Sequence, residues 1–135
     1  MGIITDHSAI VNILRDARTI AVVGLSDRPE RDSFGVARYL LSQKYTIIPV
    51  NPLIPSVFGL PAVPDLEHVH GSVDIVDIFR RPEFVPEIVE SAIRIHAGTV
   101  WMQAGIVHQE AAERASAAGL NVIMDRCIMV EHRFR

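Results

Sequence analysis

Four arginines stand where a phosphate-bearing ligand could use them. Arg28 and Arg31 follow the apolar run Thr19-Ile20-Ala21-Val22-Val23-Gly24-Leu25-Ser26, and Arg80-Arg81 close the run Val73-Asp74-Ile75-Val76-Asp77-Ile78-Phe79. A guanidinium is a planar fork that pairs with phosphate oxygens through parallel N–H groups. Two such clusters at neighbouring strand ends suit a ligand with separated phosphates. The competing reading makes each of them a solvated surface side chain.

Groups for acid–base or covalent chemistry are harder to assemble. Six histidines (His7, His68, His70, His96, His108 and His132) are scattered along the chain. His68 and His70, with Asp65 and Glu67 near, lack a third metal ligand at a recognised spacing. Asp74 and Asp77 fall on opposite faces of one strand, which argues against a carboxylate pair. Asp77 is expected to hydrogen-bond a neighbouring loop. Cys127 follows Asp125-Arg126. An adjacent arginine could lower a thiol pKa, but a free cysteine more often serves as a small buried hydrophobe. Trp101 is expected in the core. With no nucleophile and base at a recognisable spacing, binding or carriage of a ligand ranks above catalysis.

The elements that must position these residues alternate. Helices are predicted over Ser8 to Arg15, with Asp6 or Thr5 as cap, and over Phe34 to Gln43, with Ser33 or Asp32 as cap. Further helices are predicted over Pro82 to Ile95 and His108 to Ala118, with a last helical turn over Ile128 to His132. Strands are predicted over Thr19 to Leu25, Thr46 to Val50, Val73 to Phe79, Thr99 to Met102 and Asn121 to Met124. Residues 51–72 carry Pro52, Pro55, Pro61 and Pro64. They read as a loop-rich crossover, with a short strand near Pro61 to Val63 and a helical turn near Asp65 to Val69. This alternation implies an α/β domain, a doubly wound, mainly parallel sheet with helices on both faces. Ligands of such sheets bind beyond the carboxyl ends of the strands. Arg94, late in a helix, is expected to lie away from those ends.

The chain has 135 residues, 49% apolar and 21% charged, with net charge −3. That fits one domain spanning residues 1–135. The acidic balance gives no reason to expect nucleic acid as a partner, and no apolar run approaches the length of a membrane span. The single cysteine excludes an internal disulfide. A cytoplasmic location is the default expectation.

Two tests separate dinucleotides from other phosphate ligands. The G-x-G-x-x-G fingerprint is met only at Gly24, because Ser26 and Pro29 stand at the other two positions. The end of the second strand, Pro49-Val50-Asn51-Pro52, offers no carboxylate for the ribose of NAD. NAD is therefore disfavoured.

The ordered set Gly24-Leu25-Ser26 with Pro29, Arg31 and Ser33, Pro49-Val50-Asn51-Pro52, Val73 to Arg80, Val100-Trp101-Met102-Gln103-Ala104-Gly105 and Met124-Asp125-Arg126-Cys127 resembles the small stand-alone CoA-binding proteins. These are similar to the N-terminal CoA-binding domain of the succinyl-CoA synthetase alpha subunit. The resemblance runs from about Asp16 to Glu131. It implies a Rossmann-like fold and a ligand that is coenzyme A or an acyl-CoA. It also implies roles: Gly24 and Ser26 admit the diphosphate to the backbone, and Arg31 and Ser33 contact phosphate oxygens. Val50, Asn51 and Pro52 line the nucleotide or pantetheine path, and Phe79 and Arg80 flank the adenosine. Gln103, Ala104 and Gly105 lie near the pantetheine arm. The synthetase's phosphorylated histidine sits in a second domain that has no counterpart here. The alternatives are an acyl-CoA-dependent enzyme completed by a protein partner and, less favoured, an NAD-binding redox sensor.

Overall fold

A computed structural model describes residues 2–135. Its centre is a parallel sheet in the order β2-β1-β5-β6-β7. The strands are β1 (Thr19–Val23), β2 (Thr46–Val50), β5 (Ile75–Ile78), β6 (Thr99–Met102) and β7 (Asn121–Ile123). A small antiparallel hairpin, β3 (Ser56–Val57) with β4 (Leu60–Pro61), lies in the β2–β5 crossover. The helices are α1 (His7–Asp16), α2 (Asp32–Ser42), α3 (Val85–Arg94), α4 (Gln109–Ala117) and α5 (Ile128–Arg133). This is the expected doubly wound, Rossmann-like α/β fold.

Alternation along the strands divides the core. Ala21, Val23, Val76, Ile78, Val100, Met102 and Val122 face α3 and α4, which bury Val85, Ile88, Val89, Ala92, Ala111, Ala112 and Ala115 against them. Ile20, Val22, Ile75, Trp101 and Ile123 face α1, α2 and α5. With both faces covered, the strands are almost continuously apolar, as buried parallel strands must be. Trp101 is fully buried, as expected, and its indole Nε1–H donates to the Arg126 carbonyl at 2.8 Å. That bond satisfies the one polar atom of a large buried ring and ties the β7–α5 loop to β6.

Several boundaries differ from the sequence reading. Asp6, not Thr5, caps α1, its carboxylate accepting from Ala9 N at 3.1 Å. α2 starts earlier than expected, with Arg31 in the cap position and neither Asp32 nor Ser33 capping it. The helix expected from Pro82 begins as a 3-10 turn over Pro82–Phe84 before α3. Pro61 to Val63 is not one strand. Leu60–Pro61 closes the hairpin, while Val63 pairs singly with Val50 on the outer edge of β2. The opposite edge is also covered, since Ile3 pairs with Val122 of β7.

Asp77 is a further correction. It hydrogen-bonds no loop: it is fully buried on the α1/α2/α5 side, in register between Val22 and Trp101, and neither carboxylate oxygen has a partner. The residue that ties a loop is Asp74, whose Oδ2 accepts from Arg18 N at 2.8 Å and Thr19 N at 2.9 Å. Burial pushes the Asp77 carboxyl well above the ordinary carboxylate range.

Candidate functional site

The chain turns one way from β1 to β2 and the other way from β1 to β5. A crevice opens where that order reverses, beyond the strands' carboxyl ends. Gly24 leaves β1 there with φ 87°, a left-handed conformation that suits glycine. A Cβ at this position would lie 2.7 Å from the Phe79 carbonyl oxygen and 3.0 Å from Arg80 Cδ. Glycine thus lets the loops after β1 and β5 close on each other, and any larger residue forces them apart.

The loops beyond these strands are linked by side chains. Ser33, buried in the first turn of α2, accepts through Oγ from Ser26 N at 3.0 Å. Ser26 Oγ in turn accepts from Arg28 N at 3.0 Å. Asn51 joins two loops: its Nδ2 donates to the Leu25 carbonyl at 3.0 Å and its Oδ1 accepts from Leu53 N at 2.9 Å. On the far side Gly105 N donates to Asp125 Oδ1 at 2.7 Å, and Gln103 Oε1 accepts from Ile128 N at 3.1 Å.

Three adjoining clefts surround this framework. The first, about 810 Å³, is bordered by Gly24, Ser26, Arg31, Ser33, Asn51 and Phe79. The second, about 600 Å³, is bordered by Gly24, Val50, Asn51, Pro52, Leu66, Arg80 and Ile88. The third, about 880 Å³, runs along Arg31, Phe79, Arg80, Gln103, Ala104, Gly105 and Cys127. Every site residue expected from the sequence borders at least one cleft. They do not all meet in one place. Phe79 belongs to the first and third clefts, whereas Arg80 reaches the second beside Val50 and Pro52.

Charge is arranged unevenly. Among the described residues, Arg28, Arg31, Arg38, Arg80 and Arg81 are in no ion pair, whereas the pairs that do form use Arg15, His68, Arg94, Arg114 and Arg126. The Arg80 guanidinium stacks 4.2 Å from the Phe84 ring centre, a cation–π contact that fixes its direction. The sequence reading counted Arg28, Arg31, Arg80 and Arg81 but not Arg38, and overlooked the acids beside them: Asp27, Glu30 and Asp32 also border the first cleft. It overlooked Leu53, which is 88% exposed on the rim shared by the first two clefts. Arg94 is likewise misplaced by that reading. It borders the second cleft and pairs with Glu67 at 2.7 Å. The signal was available, since Glu87, Ser91 and Arg94 recur at helical spacing on one face of α3.

Residues 18–133 match the CoA binding domain family. The chain belongs to that family. It is 44% identical over 123 residues to YneT of Bacillus subtilis, covering 91% of each chain. The structure superposes with TM-score 0.94 on a protein of Pyrococcus horikoshii, at 37% identity, covering 96% of this chain and 92% of that one. A Thermus thermophilus protein gives TM-score 0.92 at 37% identity, covering 96% and 98%. Membership supports coenzyme A binding in general. His68 and His70, weighed above as metal ligands, border none of the three clefts, although Asp65, to which His68 bonds, borders the second. His68 Nδ1 contacts Asp65 Oδ1 at 2.6 Å, and among the described residues no three metal-ligating side chains converge. Among the described residues, no helix is long and apolar enough to cross a membrane.

Proposed function

We propose that this chain, acting as one unit over residues 1–135, holds coenzyme A or an acyl-CoA in the three clefts as a binding protein without catalysis of its own. The observation that carries this is the meeting of the clefts at the β1–β5 reversal, around a glycine that brings backbone to the cleft floor, with unpaired arginines on both sides. The diphosphate lies over Gly24 and Ser26, with Arg31 and Ser33 at its oxygens. The nucleoside occupies the second cleft, against Val50, Pro52, Leu66 and Ile88, with Arg80 at its entrance. The pantetheine arm follows the third cleft past Phe79 to Gln103, Ala104 and Gly105. No histidine borders these clefts. Cys127 in the third is a free thiol with no side-chain hydrogen bond to a base among the described residues, which supports binding over catalysis.

Thermal melts with CoA, acetyl-CoA, NAD and ATP test the reading. A ligand at about a hundred times its dissociation constant adds roughly 2.7 kcal/mol to stability. CoA and acetyl-CoA should both raise the Tm clearly. No shift with either at saturation overturns the proposal.

A further inference from the structure

We propose that residues 51–63 form a strap that grips the nucleotide half of the ligand. Leu53 covers the junction of diphosphate and nucleoside, and Phe58 is the positioning residue that holds the strap over the clefts. This rests on the binding reading above.

Three residues border both the first and the second cleft: Gly24, Asn51 and Leu53. A nucleotide with its diphosphate in the first cleft and its nucleoside in the second must pass them. Gly24 has no side chain to offer. The Asn51 carboxamide is already held by the Leu25 carbonyl and by Leu53 N. Leu53 remains. A single exposed leucine is unexceptional on a protein surface. This one stands on the shared rim, its backbone fixed by Asn51 and its side chain 88% exposed. Covering it with the ribose and base removes apolar surface from water on both sides.

The strap is closed at its base. Asn51 N donates to the Val63 carbonyl at 2.9 Å, and Val63 N donates to the Pro49 carbonyl at 3.0 Å. Above that, Ala62 N donates to the Pro55 carbonyl at 3.0 Å. A compact surface loop with joined ends is held in place by its own side chains. Here Val57 is buried, and Ile54, Phe58 and Leu60 pack on the α1/α2/α5 side of the core. Ile54 also forms part of the first cleft.

The hairpin tip singles out Phe58. Val57 pairs with Leu60, so Phe58 and Gly59 make a two-residue turn, with φ 57° and 73°. Such turns normally place Asn, Asp or Gly in these left-handed positions. An aromatic residue there is strained. In return the Phe58 ring lies 4.5 Å from the Phe34 ring, centre to centre. Phe34 follows Ser33, whose Oγ accepts from Ser26 N at the first cleft. The strap is thereby pinned to the first turn of α2, which helps to build the phosphate end of the site. Strain that packing maintains at one position points to a functional constraint.

Calorimetry with CoA and with ADP, which carries diphosphate and nucleoside without the arm, tests this beside melts of the free protein. Leu53→Ala should weaken both ligands about tenfold and leave the free Tm unchanged. Phe58→Gly loses the ring but relieves the left-handed backbone. Its free Tm should stay near that of wild type while CoA weakens about fivefold or more. Phe58→Ala keeps the strain without the ring and should melt lower than Phe58→Gly. Phe58→Tyr keeps the ring and should bind CoA like wild type. Wild-type affinity in both Leu53→Ala and Phe58→Gly, when the wild-type protein binds CoA, overturns the strap and leaves the binding reading standing. No CoA binding by the wild-type protein overturns both. A loss for CoA with none for ADP in Leu53→Ala puts Leu53 on the pantetheine arm and overturns its assignment to the nucleotide.

Discussion

Arg31 and Arg80 are the side chains on which phosphate recognition turns. Neither is paired with a carboxylate, so neither has an ion pair to lose, and Arg80 gives up only its stacking contact on Phe84. A charge-assisted hydrogen bond nets roughly 1.5–3 kcal/mol. Replacing either arginine by Ala should weaken CoA about tenfold or more in calorimetry and leave the melting point of the free protein nearly unchanged. Lysine should rescue only in part, because it keeps the charge and loses the fork. Arg133, which sits at the end of α5 away from the clefts, is a suitable control; Arg94 is not. Wild-type affinity in both Ala variants would contradict the phosphate assignment. Asp77 makes a separate prediction. Burial holds its carboxyl well above the ordinary carboxylate range in the fold, while in the unfolded chain an aspartate ionises near pH 3.9. The unfolded state thus releases a proton that the folded state keeps, and stability falls as pH rises from about 4 towards the raised pKa. Asp77→Asn removes that slope. Its stability relative to wild type should increase with pH in a series of melts, and a difference that stays flat with pH contradicts the assignment.

The helices and strands carry the site through their junctions. The strands were legible to within two residues at their ends because they are short apolar runs rich in β-branched residues, with Gly24 closing β1 and Asn51-Pro52 closing β2. The linkage of the loops was not legible. Asn51 read as a strand terminator, yet its side chain joins the loops after β1 and β2 and sets the Leu53 backbone at the rim. The 51–72 crossover also defied pattern reading. Its hairpin strands are two residues each, too short to show a period, and its prolines mask them. Exposed Asp27, Glu30 and Asp32 gave no periodic signal, although they alternate with Arg28 and Arg31 along the chain and so share the cleft border with them. Asn51→Ala frees both loops. It should weaken CoA about tenfold in calorimetry and speed amide exchange at Leu53, and unchanged affinity would show that the loops hold their places without it.

At the scale of the whole molecule, topology chooses the site and local chemistry chooses the ligand. The β2-β1-β5-β6-β7 order fixes one crevice at the β1–β5 reversal, and helices on both faces leave the carboxyl edge as the open approach. Dinucleotide folds use the same crevice. What separates this chain is the end of β2, where NAD recognition wants a carboxylate for the ribose hydroxyls. Asn51 stands there with its carboxamide already engaged by Leu25 and Leu53. Calorimetric titration of the wild-type protein with CoA, and with NAD under the same conditions, tests this most directly. The account predicts saturable CoA binding at one site per chain, with NAD at least tenfold weaker. NAD binding tighter than CoA, or no heat with CoA at any attainable concentration, would contradict it.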